Sequence, residues 1–104
     1  MTQKNITQPI LVLVGPTAIG KTDLSLAIAT DHDCEIISVD SMQAYRHMDI
    51  GTAKASLKER QIVAHHLIDV VDPDEDYDAA RFAEDAHRAI VNIIARGKRV
   101  LLTG

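Results

Sequence analysis

The sequence predicts an α/β fold in which a parallel sheet lies between two layers of helices. The first observation is the continuous apolar run Ile10–Val14, together with the segment Arg99–Leu102, which is apolar after its first residue. Both are of the kind found in buried parallel strands. The second is another short predicted strand, Glu35–Asp40, which ends on an acid. The third is the helical pattern that separates these runs, because strands that alternate with helices pair in parallel through crossovers. We therefore expect a three-layer α/β/α domain with about three strands.

The helices are predicted from apolar spacing and from capping residues. The first runs from Lys21 to about Thr30, and Leu57–Ala64 has room for one or two further turns. The segment HLIDVVDP ends at Pro73 and is expected to be a brief strand or an extended stretch. The predicted buried face of the first helix consists of Leu24, Ala27 and Ile28.

A longer helix is predicted before the last strand. Asp78 is suited to cap its N-terminus, and Gly97 is suited to end it in the left-handed conformation. Between them, four apolar side chains recur at helical spacing on one stripe: Phe82, Ala86, Ile90 and Ile93.

Composition indicates one small globular domain. The chain has 104 residues, of which 46% are hydrophobic and 25% charged, and this balance argues against disorder.

No apolar run approaches the ~20 residues of a membrane-spanning helix, and no signal peptide is recognisable, so we expect no membrane partner. The single Cys34 is consistent with a cytoplasmic location and is expected to be a small buried residue. A net charge of −4 argues against a general nucleic-acid binder.

A phosphate-binding loop follows the first strand. The segment GPTAIGKT satisfies G-x-x-x-x-G-K-[ST], a pattern in which glycines allow backbone amides to surround phosphate oxygens at a helix N-terminus. Lys21 supplies an ammonium for the terminal phosphate, and the Thr22 hydroxyl is suited to ligate Mg²⁺. The candidate phosphate-binding residues are Gly15, Pro16, Thr17, Ala18, Ile19, Gly20, Lys21 and Thr22.

Acids and histidines elsewhere leave several roles open. Asp40 directly follows a strand, and ligands of open parallel sheets bind at the carboxyl ends of the strands. Its position permits a Mg²⁺ ligand, a general base or a cap of the next turn. Asp69 is a weaker candidate for the Mg²⁺ acid and is expected to be a surface acid near a turn. His65 and His66 are expected to pack or to form hydrogen bonds, because adjacent histidines seldom share one metal ion.

Three segments resemble the tRNA dimethylallyltransferases. They are GPTAIGKT, SVDSMQAYRHMDIGTAK and HHLIDVVDPDEDYDAARF, and the similarity extends from about Leu11 to Gly104. The resemblance implies a P-loop NTPase-like fold whose loop binds the diphosphate of dimethylallyl diphosphate with Mg²⁺. It also implies that N6 of an adenosine next to the anticodon attacks the allylic carbon, with Asp40 as general base and Lys21 as a catalytic cation.

The resemblance also assigns partners to this chain. Asp40, Ser41, Met42 and Gln43 match the segment that contacts the tRNA anticodon stem-loop, while Tyr77 and Phe82 match a structural stretch. After the last strand the family continues with a Gly-Gly-Thr-Gly-Leu-Tyr stretch, but this sequence ends at RVLLTG. We therefore expect residues 1–104 to be the N-terminal part of the prenyltransferase domain, inactive alone and able to self-associate through an open sheet edge.

Two other functions are compatible with the phosphate loop. A small-molecule or nucleoside kinase would bind ATP and transfer its terminal phosphate, although no arginine-rich lid is visible in the sequence. A non-catalytic fragment would bind diphosphate without turnover.

The departures from the family are Ala55 and Ala64 at positions that are often Pro, and Asp78 at a position that is usually Ser.

Overall fold

The computed structural model describes residues 10–13, 21–39, 44–46 and 56–104, and these form one parallel sheet with three helices. The strands are β1 (Ile10–Leu13), β2 (Cys34–Ser38), β3 (His65–His66) and β4 (Arg99–Thr103). Their order in the sheet is β1-β4-β2-β3, and each neighbouring pair is parallel. The three predicted strands are confirmed, and a short fourth strand, β3, is added. Of the segment HLIDVVDP only His66 lies in a strand, and Leu67 and Asp69 have positive φ values of 66° and 56°, so the expectation of an extended stretch holds for its first residue alone. Val14 and Asp40, the predicted last residues of two strands, lie outside the described residues.

The helices are α1 (Lys21–His32), α2 (Leu57–Ile62) and α3 (Ala79–Ala95). Asp78 caps α3, as predicted, and its carboxylate accepts a hydrogen bond from the Arg81 amide at 2.8 Å. Gly97 has φ 80°, a left-handed conformation that favours glycine, and it stops α3 as expected. At the start of α2, Ser56 and Glu59 form a reciprocal capping box.

The sheet is covered on both faces, which confirms the three-layer arrangement. On one face, Ala29 of α1 packs with Ile36 and Leu101. On the other face, Ile93 of α3 packs with Ile37 and Val100, because successive residues of a strand point to opposite faces. The predicted stripe of α3 is confirmed, since these four residues belong to this second core: Phe82, Ala86, Ile90 and Ile93.

The predicted buried face of α1 is wrong in two of its three residues. Leu24 is 50% exposed and Ala27 is also exposed, whereas Ser25 and Ala29 are buried. Ile28 is partly buried against the core, as predicted. Small side chains at the contact allow the helix backbone to lie close to the sheet, so the buried face follows the fit to β2 and β4 rather than the largest apolar residues.

Two further expectations concern Cys34 and the membrane. Cys34 is the first residue of β2 and is buried in the α1 core, as predicted. Within the parts of the chain that the structure describes, no helix has both the length and the apolar character needed to cross a bilayer.

Candidate functional site at the carboxyl edge of the sheet

The carboxyl ends of β1, β4 and β2 lie at the same level and form one end of the sheet, called here the carboxyl edge. Leu13 at the end of β1 is in register with Thr103 of β4, and Thr103 is in turn in register with Ser38 of β2. The phosphate loop begins after β1 and the Asp40 segment begins shortly after β2. Both segments therefore leave the sheet at this shared edge, which is where parallel α/β sheets bind ligands.

The strand order sets the spacing between these two segments. β1 and β2 do not pair with each other, because β4 lies between them. Two strand spacings of about 4.8 Å each place the exits of β1 and β2 about 10 Å apart. The expectation that both segments border one crevice is supported by the positions of their flanking residues.

Most of the predicted site residues themselves lie outside the described part of the chain. This applies to loop residues Gly15, Pro16, Thr17, Ala18, Ile19 and Gly20, and to Asp40, Ser41, Met42 and Gln43. Lys21 and Thr22 are described as the first two residues of α1. The loop therefore ends where a helix begins, as the phosphate-loop pattern requires.

Hydrogen bonds connect the carboxyl ends of the three strands. The Val39 amide donates to the Thr103 carbonyl at 2.8 Å, and the Gly104 amide donates to the Leu13 carbonyl at 3.1 Å. A Cβ atom at position 104 would lie 2.6 Å from Val39 Cγ2, so this close approach favours glycine. β4 and Gly104 consequently link Leu13, two residues before the phosphate loop, to Val39, the residue before Asp40.

The chain after Gln43 is also attached to the body of the protein. The Ala44 carbonyl accepts hydrogen bonds from the amides of Val70 (2.8 Å) and Val71 (3.1 Å). The Arg46 amide donates to the Val71 carbonyl at 2.8 Å, and Tyr45 and Val71 form an isolated parallel bridge. Val39 and Ala44, the described residues on either side of Asp40–Gln43, are therefore both hydrogen-bonded to the body of the protein.

Tyr77 and Phe82 are structural, as the sequence predicted. Tyr77 is buried with Ala44 and Val71 in a small third core, and its ring is edge-on to the rings of Tyr45 and Phe82. Its hydroxyl donates to Asp85 Oδ2 at 2.6 Å. Burial and the neighbouring carboxylate raise the pKa of the Tyr77 phenol, so the hydroxyl keeps its proton.

The paired histidines form hydrogen bonds, as predicted. His65 Nδ1 donates to the Val63 carbonyl at 2.7 Å, and His66 Nε2 donates to Glu35 Oε1 at 2.7 Å. Asp69 is in an ion pair with Arg60 at 2.9 Å and has φ 56°, which fits the expected acid near a turn. Among residues 10–13, 21–39, 44–46 and 56–104, no cluster of three potential metal ligands is found.

A buried carboxylate at the opposite end of β2 was missed by sequence reasoning. Glu35 is 7% exposed at its side chain and accepts two hydrogen bonds from Arg96, at 2.5 and 2.8 Å. These bonds, together with His66, outweigh desolvation and lower the pKa of Glu35 to about 2. The available signal was an acid within an otherwise apolar strand, but its partner Arg96 lies 61 residues away. This network connects β2, β3 and the end of α3, away from the phosphate loop.

Comparisons with known proteins agree with this arrangement. Residues 43–104 match the family model described as IPP transferase. A tRNA dimethylallyltransferase of Desulfotalea psychrophila is 60% identical over 97% of this chain and 32% of its own length. A relative of the same name from Pseudothermotoga lettingae is 56% identical over 91% of this chain and 30% of its own.

Solved structures show the same likeness. The tRNA isopentenylpyrophosphate transferase of Bacillus halodurans has a TM-score of 0.84 and 47% identity, over 91% of this chain and 32% of its own. A eukaryotic dimethylallyltransferase that acts on tRNA has a TM-score of 0.83 and 38% identity, over 91% of this chain and 24% of its own. The predicted P-loop NTPase-like α/β fold is thereby confirmed. The chain spans about a third of the curated relatives' length, and it belongs to the IPP transferase family.

Proposed function

We propose that this chain supplies the donor-binding part of a tRNA dimethylallyltransferase. The observation that carries the proposal is the common level at which β1, β4 and β2 end in a member of this family. It brings the exits of the phosphate loop and of the Asp40 segment to one edge. The donor is dimethylallyl diphosphate, and the acceptor is an adenosine of the tRNA anticodon stem-loop.

The proposed reaction is an alkyl transfer from oxygen to nitrogen. The adenosine N6 forms a bond to the allylic carbon while the carbon–oxygen bond to diphosphate breaks. The N6 proton passes to the Asp40 carboxylate, which is suited to this role because an ordinary aspartate is ionised at neutral pH. The loop amides and Lys21 stabilise the negative charge that grows on the leaving diphosphate.

Mg²⁺ suits the oxygen ligands that we propose at the carboxyl edge. Thr22 lies in the first turn of α1, and its hydroxyl together with diphosphate oxygens makes an oxygen ligand set that suits this hard cation. When bound, the ion would supply further charge neutralisation to the leaving group. Ser41, Met42 and Gln43 are proposed to contact the acceptor, whose base must leave its stack to reach the site.

The donor-binding half of the proposal is testable on the chain itself. We expect dimethylallyl diphosphate with Mg²⁺ to raise the thermal unfolding midpoint of this chain more than ATP does. A ligand that binds only the folded state, at 100-fold excess over its Kd, adds about 2.7 kcal/mol to the free energy of unfolding. The change Lys21→Ala should abolish this shift, while Asp40→Asn should preserve it. ATP as the stronger ligand would favour the kinase instead.

The transfer step is testable in a chimera. In it, this chain replaces the matched residues of the Desulfotalea psychrophila relative, of which it covers 32%. We expect the chimera to prenylate tRNA and Asp40→Asn to lower kcat at least 100-fold, which is the usual scale of lost general-base catalysis. A folded, tRNA-binding chimera without transfer would favour the non-catalytic alternative. A cytoplasmic location is proposed with this function, because its tRNA acceptor is found there.

A further inference from the structure

We draw no further inference here: the strongest candidate, the surface groove between β3 and α3 that is lined in part by His66, Asp85, Arg88 and Asn92, carries none, because each of these side chains is hydrogen-bonded within the protein and nothing in the parts of the chain that the structure describes shows what would bind there.

Discussion

At the scale of single residues, Glu35 is the carboxylate whose pKa is shifted most within the described parts of the chain, and it lies outside the proposed site. It accepts hydrogen bonds from Arg96 and His66 and is buried at the amino end of β2. A buried carboxylate is stable only when its oxygens are paired, so this network fixes the relative position of three elements. Its contribution is to the fold that supports the site rather than to the chemistry.

The lowered pKa of Glu35 predicts a dependence of stability on pH. Because the folded-state pKa of about 2 lies below the ordinary value of 4.5, the stabilisation is complete above pH 4.5 and is lost as pH falls through 2. Glu35→Gln should therefore cost roughly 1–3 kcal/mol at pH 7, and clearly less at pH 2.5, in urea unfolding. The exposed Asp74→Asn is the control and should have little effect at either pH. An equal cost of Glu35→Gln at both pH values would contradict this assignment.

At the scale of elements, α3 contributes side chains to two cores, the one between α3 and the sheet and the small core around Tyr77. One face contributes to the core with β2 and β4, and its first turn supports the aromatic cluster around Tyr77. Its N-terminus is capped by Asp78, at a position where the resemblance to the family implies Ser. Ser and Asp have similar preference for this position, so the departure preserves the cap.

The cap predicts a matched pair of variants. Asp78→Ala removes the acceptor of the Arg81 amide and should lower the free energy of unfolding by about 0.5–2 kcal/mol. Asp78→Ser should stay within about 0.5 kcal/mol of the parent, because a serine hydroxyl accepts the same hydrogen bond. Urea denaturation followed by circular dichroism measures both. The prediction fails if the two variants are equally unstable.

At the scale of the whole molecule, the sheet has one edge strand with an exposed apolar residue. Among the described strands, β1 pairs only with β4, and Val12 on β1 is 61% exposed. Unpaired edges present backbone donors and acceptors to other chains. We propose that isolated copies of this chain associate through this edge.

Sedimentation velocity over a range of concentrations tests the association. We expect the mean molar mass to rise with concentration and Val12→Lys to suppress the rise, because a charge on an edge strand opposes pairing. Val91→Lys is the control, since Val91 is an exposed valine on α3, away from this edge. A monomer at every concentration, or the same suppression by Val91→Lys, would show that the edge is not the contact.

Local chemistry explains what was predictable from the sequence. The Asp78 cap, the Gly97 stop and the α3 stripe depend on residues within a few turns of one another, so their spacing alone identifies them. The buried face of α1 could not be predicted in the same way. Periodicity favoured Leu24 and Ala27, but the fit against the sheet selected Ser25 and Ala29.

The sequence by itself determined the α/β class and the family resemblance, and it predicts the phosphate loop, because each is encoded in short motifs and their order. Only the tertiary structure decided that β4 lies between β1 and β2. It also decided that Glu35 pairs with Arg96 and that Tyr77 packs with Ala44 and Tyr45. These contacts join residues far apart in the chain, and their choice depends on which surfaces are buried together once the sheet forms.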